Sequence, residues 1–250
     1  MDWTDQGIVL GRRRHGESAA VVTLLTREHG RHAGLVRGGS GKRGSALYQT
    51  GNLLQAHWRA RLAEHLGTLT AELTDGIAAR ALDDPLRLAA VTAATALLDA
   101  ALPEREPHPQ LFDATLALLR TVASATDTSA WGADYARWEV QCLADMGFGL
   151  DLGSCAATGV SEGLAYVSPR TGRAVSGEAG TPYKDKLFAL PPFLAAPGVA
   201  GDAAGIAAAL RMTGHFLERH VLGPHDRKLP PARMRFVDRW RRLASVSANS

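Results

Sequence analysis

Three groups of residues have the types and spacing for chemistry. Gly39-Ser40-Gly41-Lys42-Arg43-Gly44 fits G-x-G-x-x-G after a predicted strand, the pattern in which backbone N–H groups cradle a pyrophosphate. A dinucleotide site also needs a helix opening directly after the last glycine and a βαβ continuation. Ser45–Gln55 shows no clear helical face and the later helices lack interleaved strands, so the reading is a flexible, basic, glycine-rich loop. A P-loop fails as well, because Arg43 follows Lys42 where Ser or Thr must reach magnesium, and Val36 stands at the first glycine. Such a loop can lie close to a phosphodiester backbone while Arg37, Lys42 and Arg43 neutralise it.

The second group is cationic. Arg12-Arg13-Arg14 ends the first predicted strand and is expected to face a hairpin bearing Arg27, Arg31 and Arg37, and Arg12 to Arg43 holds eight cations against two anions. On the fourth strand, Ala56, Trp58 and Ala60 alternate with His57, Arg59 and Arg61, which puts a basic row on one face. A charge run is ordinarily a solvated face, but clustering on a small β-barrel points toward nucleic acid. No helix-turn-helix or finger pattern is present, so sequence-specific readout is not indicated. Trp3, Tyr48 and Trp58 have the rings for base stacking, and packing is the commoner role for each.

The third group, Cys155-Ala156-Ala157-Thr158 with Ser176 and Ala179 further on, has the outline of a zinc ribbon without most of its thiolates. One thiol cannot hold structural zinc, and no histidine lies between His108 and His215 to replace the others. The two cysteines, Cys142 and Cys155, also exclude a disulfide framework and suit a reducing compartment. Ser/His/Asp elbows, HExxH and paired carboxylates are all missing, so a non-enzymatic protein without cofactor or metal is expected.

The elements that must carry these groups follow from periodicity. Gly7–Arg14, Ala19–Thr26, 31–37, Leu53–Arg61 and Gly67–Leu73 read as five short strands within about eighty residues, suited to a small closed barrel of the oligonucleotide-binding (OB) type. From residue 81 the period is helical: Asp84-Pro85 opens one helix to about Leu102, Pro109 a second to about Ala123. A third, 129–146, sets Trp131, Tyr135, Trp138 and Cys142 on one face. Residues 148–182 read as an inserted hairpin around Pro169-Arg170-Thr171-Gly172, and 202–222 and 231–245 as two more helices, the last basic. The expected fold is α+β, with an OB-type domain at 1–80 and a helical domain at 81–250 that carries a degenerate zinc-ribbon hairpin at 148–182. The 28 Lys+Arg and 25 Asp+Glu give a net charge of +3, which conceals +4 over residues 1–80, −7 over 81–180 and +6 over 181–250. Local fields of one sign govern association more than the net value.

Met1–Asp5 lacks the basic and apolar regions of a signal peptide. The charge-free stretches Leu88–Leu98 and Leu187–Gly201 are too short for a bilayer, and Pro191, Pro192 and Pro197 break the second. A cytoplasmic, nucleoid-associated location without membrane contact is expected.

The order and spacing of several segments resemble the bacterial recombination mediator family RecO over nearly the whole chain. Gly7-Ile8-Val9-Leu10, Gly16-Glu17-Ser18, Leu24-Leu25-Thr26, Gly30-Arg31, Leu35-Val36-Arg37-Gly38 and Lys42-Arg43 are similar to the family's opening strands and basic loop. Arg137-Trp138-Glu139 through Gly147-Phe148 resembles its R-x-F-E-x-x-L-L-x-x-L-G-Y helix, and 168–173 its S-P-x-x-G-G hairpin. The resemblance implies binding of single- and double-stranded DNA, annealing of complementary strands, and loading of RecA with RecR onto strands covered by single-strand-binding protein (SSB), whose acidic C-terminal tail is also bound. By position, Arg12, Arg14, Arg37, Lys42 and Arg43 match DNA-facing sites, and Arg137 an arginine that pairs with the tail. The chain departs from the family at the other ribbon cysteines, and at Pro230-Pro231-Ala232-Arg233 where L-K-S-R is common. A competing expectation is a protein-only adaptor whose basic surfaces serve acidic partners such as the SSB tail without touching DNA.

Overall fold

The computed structural model describes residues 1–62, 64–196 and 198–247; Pro197 and the end of the expected helical domain, 248–250, lie outside the described residues. The chain forms two compact units, divided in sequence between Ser124 and Ala125.

In the first unit, strands β1 (Asp2–His15), β2 (Ala19–Thr26), β3 (Gly30–Val36), β4 (Leu53–Arg59) and β5 (Thr68–Asp75) close into a barrel in the order β1-β2-β3-β5-β4. Strand β1 is long enough to serve two neighbours: Asp2–Ile8 pairs with β4, and Gly7–His15 with β2, with a bulge between Val9 and Gly11. The β3/β5 seam is a single parallel pair, Leu35 with Thr68. Inward residues Val9, Val22, Leu24, Leu54, Trp58 and Leu69 form the barrel core. Ile8 and Leu25, paired on the opposite face, are equally buried because a helix packs on β1 and β2.

Four helices complete this unit. The short α1 (Lys42–Leu47) begins inside the glycine loop, which corrects the expectation that no helix starts near Ser45; Ser45 N donates to Gly41 O at 2.8 Å. The single-turn α2 (Ile77–Ala81) was not foreseen, and buries Ile77, Ala78 and Ala81. Asn52 joins both: its amide donates to Ala46 O and Leu47 O, and its carbonyl accepts from Ala78 N. Helix α3 (Pro85–Ala101) starts where expected, the Asp84 carboxylate accepting from Leu86 N and Arg87 N ahead of proline at the first helical position. Helix α4 spans Pro109–Ser124.

The second unit opens on α5 (Thr128–Asp145), capped by Asp127, and its Trp131, Tyr135, Trp138 and Cys142 face is buried as core. Strands β6 (Leu164–Val167) and β7 (Ala174–Ser176) form the expected hairpin, extended by β8 (Phe188–Ala189) into three strands in the order β7-β6-β8. Single turns α6 (Gly177–Gly180) and α7 (Pro192–Ala195) flank β8. Helix α8 (Ala203–Phe216) continues as a wider π turn over Leu217–Leu222, and α9 (Pro231–Ser247) closes the unit. Among the described residues no helix is long and apolar enough to cross a membrane.

The hairpin is held by hydrogen bonds at the four ribbon positions. The Cys155 thiol donates to Ser176 Oγ at 3.5 Å, Ser176 N donates to the sulfur at 3.2 Å, and Ser176 Oγ accepts from Ala179 N at 3.4 Å. Thr158 bonds the same sulfur, and it leads Ser176 and the Ala157 amide in holding the Cys155 thiol down to about 6, against the opposing effect of burial. One thiol, two hydroxyls and a methyl do not fit zinc, so the polar contacts take over the bracing that thiolates would supply.

Candidate nucleic-acid interface

Strand direction sorts the predicted cations into two ends of the barrel. Arg14 lies opposite Ala20, and Ala20 opposite Val36, so the Arg12–Arg14 run and Arg37 gather at one end beside the glycine loop. Thr26 lies opposite Gly7, which sends Arg27 to the other end, with Arg31 nearby opposite Leu25. The hairpin therefore separates residues that sequence proximity suggested would face one another, and this corrects the single-cluster expectation.

At the first end the loop is pinned rather than flexible. Arg12 donates to Gly39 O at 3.0 Å, Ser40 Oγ to Ala19 O at 2.6 Å, and Ser40 N to Ser18 O at 3.0 Å. A side chain at Gly44 would meet Gly38 O and Gly39 Cα at 2.8 Å, so the glycine spacing that imitates a nucleotide fingerprint serves a tight turn into α1. Arg12 and Arg14 share one face of β1, with Arg13 on the other. Arg13, Arg14, Arg37, Lys42 and Arg43 are exposed, and among the described residues no carboxylate pairs with any of them.

Between the end of β3, helix α1 and β5 runs an open groove of about 560 Å³. Arg37 and Arg43 stand over a floor containing Leu35, Leu47, Tyr48, Thr68 and Thr70. Thr68 and Thr70 were missed as groove residues because only barrel closure brings β5 beside the loop. Arg59, exposed at the end of β4, sits opposite Thr68 in register and so at the margin of this groove. The neighbouring His57 is bonded to Asp2, which interrupts the expected basic row.

Arg27 and Arg31 are internally occupied. Arg27 grips Asp113 of α4 through Nε at 3.1 Å and a terminal nitrogen at 2.9 Å, and meets Glu28 at 2.6 Å; the same contact holds the Asp113 carboxyl below its ordinary range. Arg31 donates to Leu102 O at 2.9 Å and reaches Asp99 and Glu104 at 3.3 and 3.5 Å, leaving its side chain 14% exposed. The stacking candidates are occupied too. Trp58 and Tyr48 are buried, and Trp3 stacks between His29 at 4.3 Å and Trp58 at 5.6 Å.

In the second unit, Arg137 is held by Asp134 at 2.9 Å, donates to Phe193 O and Val199 O, and lies 5.3 Å over the Phe193 ring. It edges a groove of about 340 Å³ lined by Val140, Leu152, Phe193 and Leu194, a cation beside an apolar trough. Two residues further along α5, Glu139 is fully buried and accepts a two-pronged ion pair from Arg233 of α9 at 2.7 Å for each contact. Arg233 also donates to Leu210 O at 2.8 Å, and Thr213 bonds the same carboxylate. A side chain at Gly214 would meet the guanidinium at 2.8 Å, so α8 needs glycine there to let it through. Arg233 thus keeps a defined role although the three residues before it depart from L-K-S-R.

Comparison with known proteins matches the chain in two segments whose boundary, near residue 80, precedes the division between the compact units. The family described as Recombination protein O N terminal matches residues 1–77, and Recombination protein O C terminal matches residues 82–230. The chain is 56% identical over 249 residues to the DNA repair protein RecO of Rhodospirillum centenum, covering 99% of this chain and 98% of that protein. It is 51% identical over 249 residues to RecO of Rhodospirillum rubrum (98% and 99% covered), and 47% over 239 residues to RecO of Phenylobacterium zucineum (96% and 97%). With both halves matched and the barrel and helical unit in place, the chain belongs to the RecO family of DNA repair proteins.

Proposed function

We propose that this chain is a non-enzymatic recombination mediator that binds single- and double-stranded DNA through the loop end of its barrel, and that it anneals complementary strands. The observation that carries the reading is the set Arg13, Arg14, Arg37, Lys42 and Arg43, exposed at the loop end of the barrel without carboxylate partners among the described residues, with Arg37 and Arg43 lining the groove of β3, α1 and β5. Guanidinium and ammonium groups placed this way neutralise phosphates and release counterions, a contact indifferent to base identity. Base pairing then supplies the sequence choice, and lowered repulsion between strands supplies the acceleration. Arg12 contributes by fixing the loop, and Arg59 at the groove margin, while Arg27 and Arg31 brace the barrel.

The trough beside Arg137 suits a short acidic peptide with apolar side chains, the chemistry of the SSB tail, which would bring the mediator to coated strands. RecR is the proposed co-mediator and RecA the protein finally loaded, in the cytoplasm at the nucleoid. The test replaces Arg37, Lys42 and Arg43 together by alanine. Each phosphate contact contributes about 0.7 to the salt slope for single strands, so the slope should fall by about 2 and annealing of SSB-coated strands should collapse. Tail binding should persist. Unchanged DNA affinity with lost tail binding would instead favour the protein-only adaptor.

A further inference from the structure

Helix α9 carries a charged face that neither the barrel site nor the Arg137 trough uses. Its inward residues Arg233, Phe236, Val237 and Trp240 are buried. Arg235, Arg239 and Arg242 follow at i, i+4 and i+7 and are all exposed. At 100° per residue they fall within about 60° of one another, and at 1.5 Å per residue they span roughly 10 Å of helix axis.

The helix supplies one carboxylate for these cations, Asp238, three residues after Arg235 and four before Arg242. Asp238, the nearest carboxylate in sequence, is at the edge of the face and pairs with Arg241 at 3.6 Å. Like charges at i, i+4 and i, i+3 repel, so the three guanidiniums disfavour the helix that displays them unless an anion lies along it. Among the described residues no carboxylate pairs with Arg235, Arg239 or Arg242.

The shape narrows the kind of anion. The groove beside α9 is lined by Met234, Val237, Asp238 and Arg241, on another side of the helix from the stripe, whose own exposed face also carries Val246. A polyanion with a charge every roughly 3.4 Å of strand binds a row of cations directly. Three exposed guanidiniums spaced over roughly 10 Å of helix axis therefore favour a phosphodiester backbone, with an acidic protein segment as the opposing outcome of the test.

We infer that Arg235, Arg239 and Arg242 of α9 form a second phosphodiester-binding surface, carried by the second unit, in addition to the barrel groove. This rests on the reading of the chain as a DNA binder and adds that each of its units holds DNA. The experiment measures binding of a labelled duplex against salt concentration for the full chain, for R235A/R239A/R242A, and for the barrel triple variant. The residues are exposed and outside the core, and an unchanged melting temperature checks folding.

The α9 variant should lose about 2 to 3 from the salt slope, at 0.9 per phosphate contact, and R235K/R239K/R242K should restore it, because a backbone phosphate accepts any point charge. An α9 slope equal to that of the unmodified chain overturns the inference. So does loss of binding to polyglutamate with duplex binding intact, which would assign the stripe to a protein. If the barrel variant binds DNA as the unmodified chain does while the α9 variant does not, the barrel reading fails and the inference stands.

Discussion

Replacing Arg233 by methionine would strand the Glu139 carboxylate in the core of the second unit, leaving it the hydrogen bond from Thr213. The side chains are 3% and 0% exposed, so solvent screening is slight and both charges have been fully desolvated. Burial disfavours the Arg233 cation, but the adjacent carboxylate outweighs it and keeps the guanidinium protonated. Removing one partner of such a pair costs about 3 to 5 kcal/mol. With an m-value of roughly 2 kcal/mol/M, the urea midpoint of the second unit should fall by about 1.5 to 2.5 M.

The measurement is favourable because Trp131, Trp138 and Trp240 all report on this unit, against Trp3 and Trp58 in the other. The double variant Glu139→Leu, Arg233→Met should recover most of the loss, since an apolar pair removes both desolvation penalties while Thr213 keeps its bond to Ala209 O. A single-variant midpoint within about 0.5 M of the unmodified chain, or a double variant no better than the single, would refute this account of the latch.

Arg31→Ala should lower the stability of the first unit by about 1 to 2 kcal/mol, by removing the bond to Leu102 O and contacts to Asp99 and Glu104. Its DNA salt slope should stay as it is, and a drop equal to that of Arg37→Ala would return Arg31 to the interface. Cys155, titrating near 6 in the fold against an ordinary value of 9, binds its proton more weakly when folded. Its stabilising contribution therefore grows as pH rises from about 6 to 9 and is lost as pH falls through 6. Melting temperatures across that range should show a rise that Cys155→Ala abolishes, and an identical pH profile in the variant would contradict the assignment.

Much of the architecture was legible because local signals and tertiary demands coincide. Asp84-Pro85 joins a capping carboxylate to a proline at the first helical position, and the 131, 135, 138, 142 spacing fits one face of a helix, which is buried here. The five strands could be read because turns such as Glu28-His29-Gly30 are short and local. Helix α2 escaped notice because five residues carry too little period; what fixes it is Asn52, more than twenty residues away, capping Ala78 N. The loop helix α1 escaped for a related reason, since glycines that suggest flexibility here permit the close approach of Gly44 to Gly38 and Gly39.

The candidate interface was harder to read, and the charge map shows why. Eight cations between Arg12 and Arg43 look equivalent in sequence, but the partners that distinguish them come from the acidic block after residue 80. Asp113 takes Arg27 from 86 residues away, and Asp99 and Glu104 take Arg31 from 68 and 73. Those carboxylates lie where α3, α4 and the segment joining them meet one end of the barrel, and none of them reaches the other end. The acidic block is thus what gives the basic block its direction. It neutralises the cations at the braced end and leaves Arg13, Arg14, Arg37, Lys42 and Arg43 exposed at the loop end. A net charge near zero is then compatible with a strongly directional field, because pairing is decided by which end of a hairpin a residue occupies rather than by how many charges the chain carries.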